Sequence, residues 1–171
     1  MGRYSWNRLN SQQVGRFAEY FVKMEFALYG FEVYTAEVDD RGIDFVARHG
    51  AGGFYEVQVK SVRGSNYVFM HKTKFPLRPD RLLALVLLEK DQPPDLYLVP
   101  ATAWLFPNAL LVGRDYVGLK SKPEWGIQLS GRTRPLLAPY RFDNAVLPLC
   151  QGTPNQALQQ TPAAALVSRS S

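Results

Sequence analysis

Glu56, Gln58 and Lys60 alternate with Val57 and Val59 in the stretch EVQVKS. Side chains of a strand point to opposite faces in turn, so the three polar groups share one face while the valines enter a core. Such a face is either a wetted surface or part of a site. Asp44 lies upstream in RGIDFVA, separated from this strand by the turn signal His49-Gly50-Ala51-Gly52-Gly53. A hairpin closing symmetrically about Ala51 sets Asp44 directly opposite Gln58, Val46 opposite Glu56 and Gly42 opposite Lys60. Directly opposed residues have Cβ atoms about 4.5–5.5 Å apart, close enough for the oxygens of Asp44 and Gln58 to bind one metal ion. A one-residue bulge would break this register. Ile43 and Phe45, flanking Asp44, are expected on the side of Val57 and Val59.

Several elements must hold these residues. Asn10 with Gln13 three positions later forms a capping-box signature, and Val14, Phe17, Phe21, Met24 and Leu28 recur at helical spacing up to Gly30. Glu19 falls in line with Gly15, Ala18, Val22 and Phe26, a face otherwise small or apolar. A carboxylate there wants a partner. If this face covers the sheet, Glu19 points towards the Asp44 pair and Gly15 lets the helix approach closely. A strand around Phe31–Tyr34, a turn at Asp39–Gly42, a strand over Ile43–Arg48 and another over Phe54–Val62 make a three-strand meander. After a turn at Arg63–Asn66, Tyr67–Met70 reads as a short strand. Leu82–Leu88 reads as a strand buried on both faces, with Leu96–Val99 as its neighbour beyond Pro93-Pro94. The Pro- and Gly-studded remainder has Trp104, Trp125 and Tyr140 as expected core anchors. Residues 1–150 are expected to form one domain. Residues 151–171, rich in Gln, Ala, Ser and Pro, are expected to form a disordered tail. There is no internal repeat.

The chain of 171 residues, 46% hydrophobic, can bury one core. Its formal charge of +5 favours a polyanionic partner. The single cysteine, Cys150, excludes an internal disulfide framework and a cysteine-rich zinc site, and fits a reducing compartment. The N-terminus is polar with no apolar leader core, and the longest apolar run, Leu82–Leu88, is too short for a bilayer. A cytoplasmic protein without membrane contact is expected. Residues 60–81 carry Lys60, Arg63, Lys72, Lys74, Arg78 and Arg81 against Asp80. Residues 119–141 carry Lys120, Lys122, Arg132, Arg134 and Arg141 against Glu124. Arg63, Lys72, Lys74 and Arg78 follow the polar strand directly and are the expected nucleic-acid contacts. His49 and His71 show no metal-ligand spacing, His71 being a candidate base beside the site.

The order of these elements resembles the PD-(D/E)xK nuclease superfamily, in which a helix bearing a Glu precedes a meander bearing an Asp and then a (D/E/Q)-x-K motif. The matching residues are Glu19 in GRFAEYF, Asp44 in RGIDFVA, and Gln58 with Lys60 in EVQVKS, over roughly Gln12–Leu88. The likeness is to the Q-x-K variants, and in layout to Holliday-junction resolvases and Mrr-like restriction domains. It implies an α/β fold, restriction-endonuclease-like, with a three-layer core, a central mixed sheet and an N-terminal helix followed by a strand meander. It further implies Mg²⁺, with Mn²⁺ as a substitute, held by Asp44, Gln58, the carbonyl of Val59 and Glu19. Lys60 would orient the attacking water or offset charge on phosphorus. The implied activity is endonucleolytic hydrolysis of nucleic acid, DNA in the first place, in defence or repair; a homodimer stays open. Two departures matter: Gln58 supplies a neutral oxygen in place of a second acid, and Lys72–Asp80, with Pro76 and Pro79, lacks the family's crossover helix. They keep an alternative open, a catalytically inactive nucleic-acid-binding or protein-interaction module on the same fold.

Overall fold

The computed structural model describes residues 2–35, 41–64 and 66–151. The expected turn at Asp39-Asp40, the Ser65 position and residues 152–171 of the expected tail lie outside them. Helix α1 (Ser11–Leu28) starts where Asn10 accepts the N–H of Gln13 and Gln13 Oε1 returns the bond to the N–H of Asn10, both 2.9 Å. These two bonds satisfy donors the first turn would otherwise leave open. It ends at Gly30, whose φ of +82° suits a residue without Cβ. Its fully buried positions are Val14, Ala18, Val22 and Phe26, with Phe17 and Phe21 half-buried. Met24 and Leu28 are 57% and 78% exposed, so the expected stripe rotates towards smaller residues. They line an open groove with Trp6 and Pro94 instead.

Strands β1 (Phe31–Tyr34), β2 (Phe45–His49) and β3 (Phe54–Arg63) form the expected antiparallel meander. β4 (Tyr67–His71) then leaves the sheet, and β5 (Arg81–Leu88) returns to lie parallel to β3 with Gln58 beside Leu83 and Lys60 beside Leu85. β6 (Asp95–Pro100) pairs antiparallel with β5, which completes a mixed five-stranded sheet in the order β1-β2-β3-β5-β6. β7 (Leu111–Arg114) and β8 (Glu124–Gln128) join β4 in a second sheet, ordered β4-β8-β7. The short helices α2 (Phe142–Ala145) and α3 (Leu147–Gln151) close the described chain.

The large sheet is the middle of three layers. Leu82, Ala84, Val86 and Leu88 of β5 pack with α1, α2 and α3, while Leu83, Leu85 and Leu87 pack with residues of β4, β7 and β8. This alternation is why the run Leu82–Leu88 carries no polar residue: both faces are core. Trp104 is buried in the second cluster, donating Nε1–H to the Gly126 carbonyl at 3.1 Å, while Trp125 and Tyr140 are half-buried at its margin. The crossover between the parallel strands β3 and β5 therefore runs through a strand of another sheet, as the prolines at 76 and 79 require of a segment that cannot stay helical. No helix of the described residues is long and apolar enough to cross a membrane.

Candidate metal and phosphate site

β3 sorts its side chains as its sequence demands. Tyr55 and Val57 are buried against the α1 layer, and Val59 packs there too. The alternate positions Glu56, Gln58 and Lys60 face the side of the second sheet, where Val62 continues the row into its core. The hairpin register is the symmetric one over most of its length, with Phe45 opposite Val57, Val46 opposite Glu56, Ala47 opposite Tyr55 and Arg48 opposite Phe54.

At Asp44 the ladder changes. Its N–H donates to the carbonyl of Val57 at 3.0 Å, although Phe45 is the residue that faces Val57. Two residues on this side meet one on β3, the count that defines a bulge, and the expected pairing of Asp44 with Gln58 and of Gly42 with Lys60 gives way. The bulge re-aims the carboxylate: Asp44 Oδ2 accepts the N–H of Val59 at 2.6 Å. Gly42 comes against Gln58 instead, where a Cβ would lie 3.2 Å from Gln58 Nε2 and 3.4 Å from Lys74 Cβ. With φ at +69°, this position demands glycine on both counts.

A buried guanidinium holds the turn. Arg81, 1% exposed at the start of β5, donates Nη2–H to the carbonyl of Gly42 and, at 2.9 Å, to that of Lys74. Its Nη1 reaches Glu56 Oε2 at 3.2 Å, and its carbon Cζ stands 5.3 Å from the centre of the Phe75 ring. Burial pushes its pKa down, and the Glu56 carboxylate opposes that shift. Arg81 thus joins β3, the turn before Asp44 and the segment after β4 at one point. Composition placed it in a surface cation stretch; the signal that sets it apart is its position directly before seven apolar residues.

The donor set suits a hard divalent cation. Gln58 Oε1 is buried with no hydrogen-bond partner among the described residues, and an unpaired buried acceptor costs about 1–3 kcal/mol unless something takes the place of water. Mg²⁺ accepts oxygen ligands of this kind and needs few of them from protein. The carbonyl of Val59 points to the same edge of β3 as its N–H, hence towards Asp44, since the two groups of a strand residue face one way. Lys60 is half-buried and makes no ion pair among the described residues. No three of His, Cys, Asp and Glu converge among the described residues.

The remaining expected residues divide. Glu19 finds its partner in Arg16, 2.8 Å away and one turn back on α1, in the layer over the opposite face of β3 from Gln58 and Lys60. A Cβ at Gly15 would meet nothing within 4 Å, so this glycine is not what lets the helix approach. Of the four expected phosphate contacts, Lys74 is exposed and borders Gly42. Arg78 is bound to Glu56 at 2.6 Å and to Asp80 at 3.2 Å. Lys72 is bound to Asp115 at 2.6 Å, with its Nζ 3.9 Å from the centre of a Trp125 ring. Arg63 donates to the carbonyls of Trp6 and Leu9 at 3.2 and 3.1 Å, tying the N-terminal segment to the end of β3. His71 lies at the end of β4 on the second sheet, its Nδ1 buried without a partner among the described residues.

No family model matches the chain, and no curated protein matches it in sequence. Solved structures do match. The Holliday junction resolvase Hjc of the archaeal hyperthermophile Archaeoglobus fulgidus superposes with a TM-score of 0.46 at 15% identity, over 71% of this chain and 88% of that one. The bacterial homing endonuclease I-Ssp6803I superposes with a TM-score of 0.51 at 17% identity, over 88% of this chain and 94% of that one. A mixed central sheet, entered through an N-terminal helix and a strand meander, gives this chain the restriction-endonuclease-like fold of a homing endonuclease.

Proposed function

We propose that the protein is a Mg²⁺-dependent endonuclease that hydrolyses phosphodiester bonds of nucleic acid, DNA by preference, in defence or repair. The observation that carries this reading is that the Asp44 carboxylate is seated on the Val59 N–H of β3, next in sequence to Gln58, whose Oε1 is buried with no hydrogen-bond partner among the described residues. Asp44, Gln58 and the Val59 carbonyl would hold the ion. When bound, it supplies positive charge that polarises the scissile phosphate and acidifies the attacking water. Lys60, one strand repeat beyond Gln58 on the same face, orients that water by hydrogen bonding and offsets charge developing on phosphorus. Lys74 beside Gly42 contacts a flanking phosphate. The Val59 N–H on Oδ2 fixes the direction of the Asp44 carboxylate. Glu19, across the sheet, is given no part. The likeness in fold to a homing endonuclease supports a nuclease reading and says nothing of the residues; those rest on the geometry alone.

Nicking of supercoiled plasmid in Mg²⁺, run in parallel on the wild type and Lys60→Ala, tests the reading. Metal-dependent nicking that falls by about 10²-fold or more in Lys60→Ala is expected, as for loss of one group that stabilises transition-state charge. Nicking of equal rate in both would refute the assignment, and a wild type that binds DNA without cutting it would favour the inactive binding module.

A further inference from the structure

The second sheet turns one face outward. On β4 that face carries Tyr67, Phe69 and His71, and across from Phe69 on β8 stands Gly126. A Cβ at Gly126 would lie 2.0 Å from the Tyr67 hydroxyl, so the tyrosine ring lies flat over the bare backbone of β8. Its hydroxyl donates to Glu124 Oε1 at 2.8 Å, as does that of Tyr116, and the carboxylate is buried beneath them. Phe69 stacks beside Tyr67, with centroids 6.3 Å apart and rings 17° from parallel, and His71 meets Phe69 edge-on at 5.5 Å. Phe69 remains 44% exposed.

This row of rings is electropositive at its surface. The Arg114 guanidinium lies 4.3 Å from the centre of the Tyr67 ring and is itself exposed. Lys120 and Lys122, both exposed, sit in the β7–β8 connection, which rejoins the sheet at Glu124 opposite His71. Of the two acids of this region, Glu124 is buried under two hydroxyls and Asp115 is bound to Lys72 at 2.6 Å, so Arg114, Lys120, Lys122 and Lys72 leave an excess of positive charge. β4 also leads towards the candidate site: Lys74, three residues past His71 and bonded to its carbonyl, borders Gly42.

We propose that this face is a stacking platform for unpaired nucleobases of a nucleic-acid strand, with Phe69 as the base contact and Arg114 as the cation beside it. A flat ring held by its neighbours takes any base on its π face, and cations alongside serve the backbone. The proposal rests on the reading of the protein as a nucleic-acid enzyme only for the class of polymer; it does not need the Asp44 site to be active.

The test is fluorescence anisotropy with a labelled oligothymidine and with a duplex of equal length, in EDTA so that no cleavage intervenes. Phe69→Ala is expected to weaken single-strand binding by about 5- to 150-fold, the range for losing one stacked base. Duplex binding should change far less, and Phe69→Tyr should restore the single-strand affinity. Phe69 is exposed enough that both variants keep the wild-type melting temperature, which is measured alongside. Unchanged single-strand affinity in Phe69→Ala, an equal loss on duplex, or a wild type that does not bind the oligothymidine would each overturn the proposal. Loss of nicking in Lys60→Ala bears on the active site alone, so the two readings fail separately.

Discussion

Replacing Arg81 by Met removes the guanidinium that ties the Gly42 turn to the sheet while keeping an unbranched apolar stem against Phe75. Breaking a buried charge pair from one side typically costs about 3–5 kcal/mol because the other charge is stranded. Here Glu56 keeps Arg78 at 2.6 Å and is itself partly solvated, so that part of the cost is small. What is lost are the two charge-assisted hydrogen bonds to the carbonyls of Gly42 and Lys74, at about 1.5–3 kcal/mol each, less the relief of no longer burying a guanidinium. A net loss of about 3 kcal/mol follows, which for a chain of this size is roughly 6–12 °C in melting temperature. Urea denaturation at constant m-value measures it. Because Gly42 stands two residues before Asp44, plasmid nicking should also fall more than tenfold at a temperature where the variant is fully folded, a loss that mere destabilisation does not produce. A stability change below about 1 kcal/mol, or full activity in the folded variant, would refute the view of Arg81 as the residue that positions the turn.

Three further outcomes are expected. Asp44→Asn should keep the fold, since its amide oxygen still accepts the Val59 N–H, and should abolish metal-dependent nicking; Asp44→Ala should additionally lose about 1–3 kcal/mol of stability by leaving that N–H unpaired, read by thermal melting. Gln58→Glu should raise apparent Mg²⁺ affinity by about 1 kcal/mol, roughly fivefold, for a partly screened charge beside Asp44, and an unchanged calorimetric affinity would remove Gln58 from the ligands. Deleting residues 152–171, a stretch poor in large apolar side chains, should leave melting temperature and nicking as they were, and a drop of several degrees would show that it docks.

The parts of this fold that rest on local chemistry are legible in the residues themselves. The Asn10–Gln13 box marks the start of α1, and the unbroken run Leu82–Leu88 marks a strand with core on both sides. The hairpin about Ala51 sets the β2–β3 register correctly from Phe45 to Arg48. The same reasoning fails one residue further on, at Asp44, because a bulge is decided by what grips the chain from elsewhere. The grip is Arg81, 39 positions beyond the Gly42 carbonyl it holds. An arginine is so rarely buried that composition assigns it to the surface. The β4–β8–β7 sheet was out of reach for a similar reason: its partners are far apart in sequence, and its strands are short. The face that Glu19 shares with Ala18, Val22 and Phe26 is the one α1 buries, while its pairing with Arg16 one turn back is set by side-chain reach that spacing does not show.

The route of the chain through β4 also sets an order of events on the ribosome. β4 pairs in its sheet with β8 alone, and Tyr67 reaches its acceptor Glu124 across 57 positions. At about 5–20 residues per second, the strand and the apolar underside of β5 wait about 2–8 s for their cover after both have been made. During that interval the nascent chain presents Leu83, Leu85 and Leu87 uncovered beside an unpaired strand edge, which is where a chaperone would be needed and where premature release would lead to aggregation.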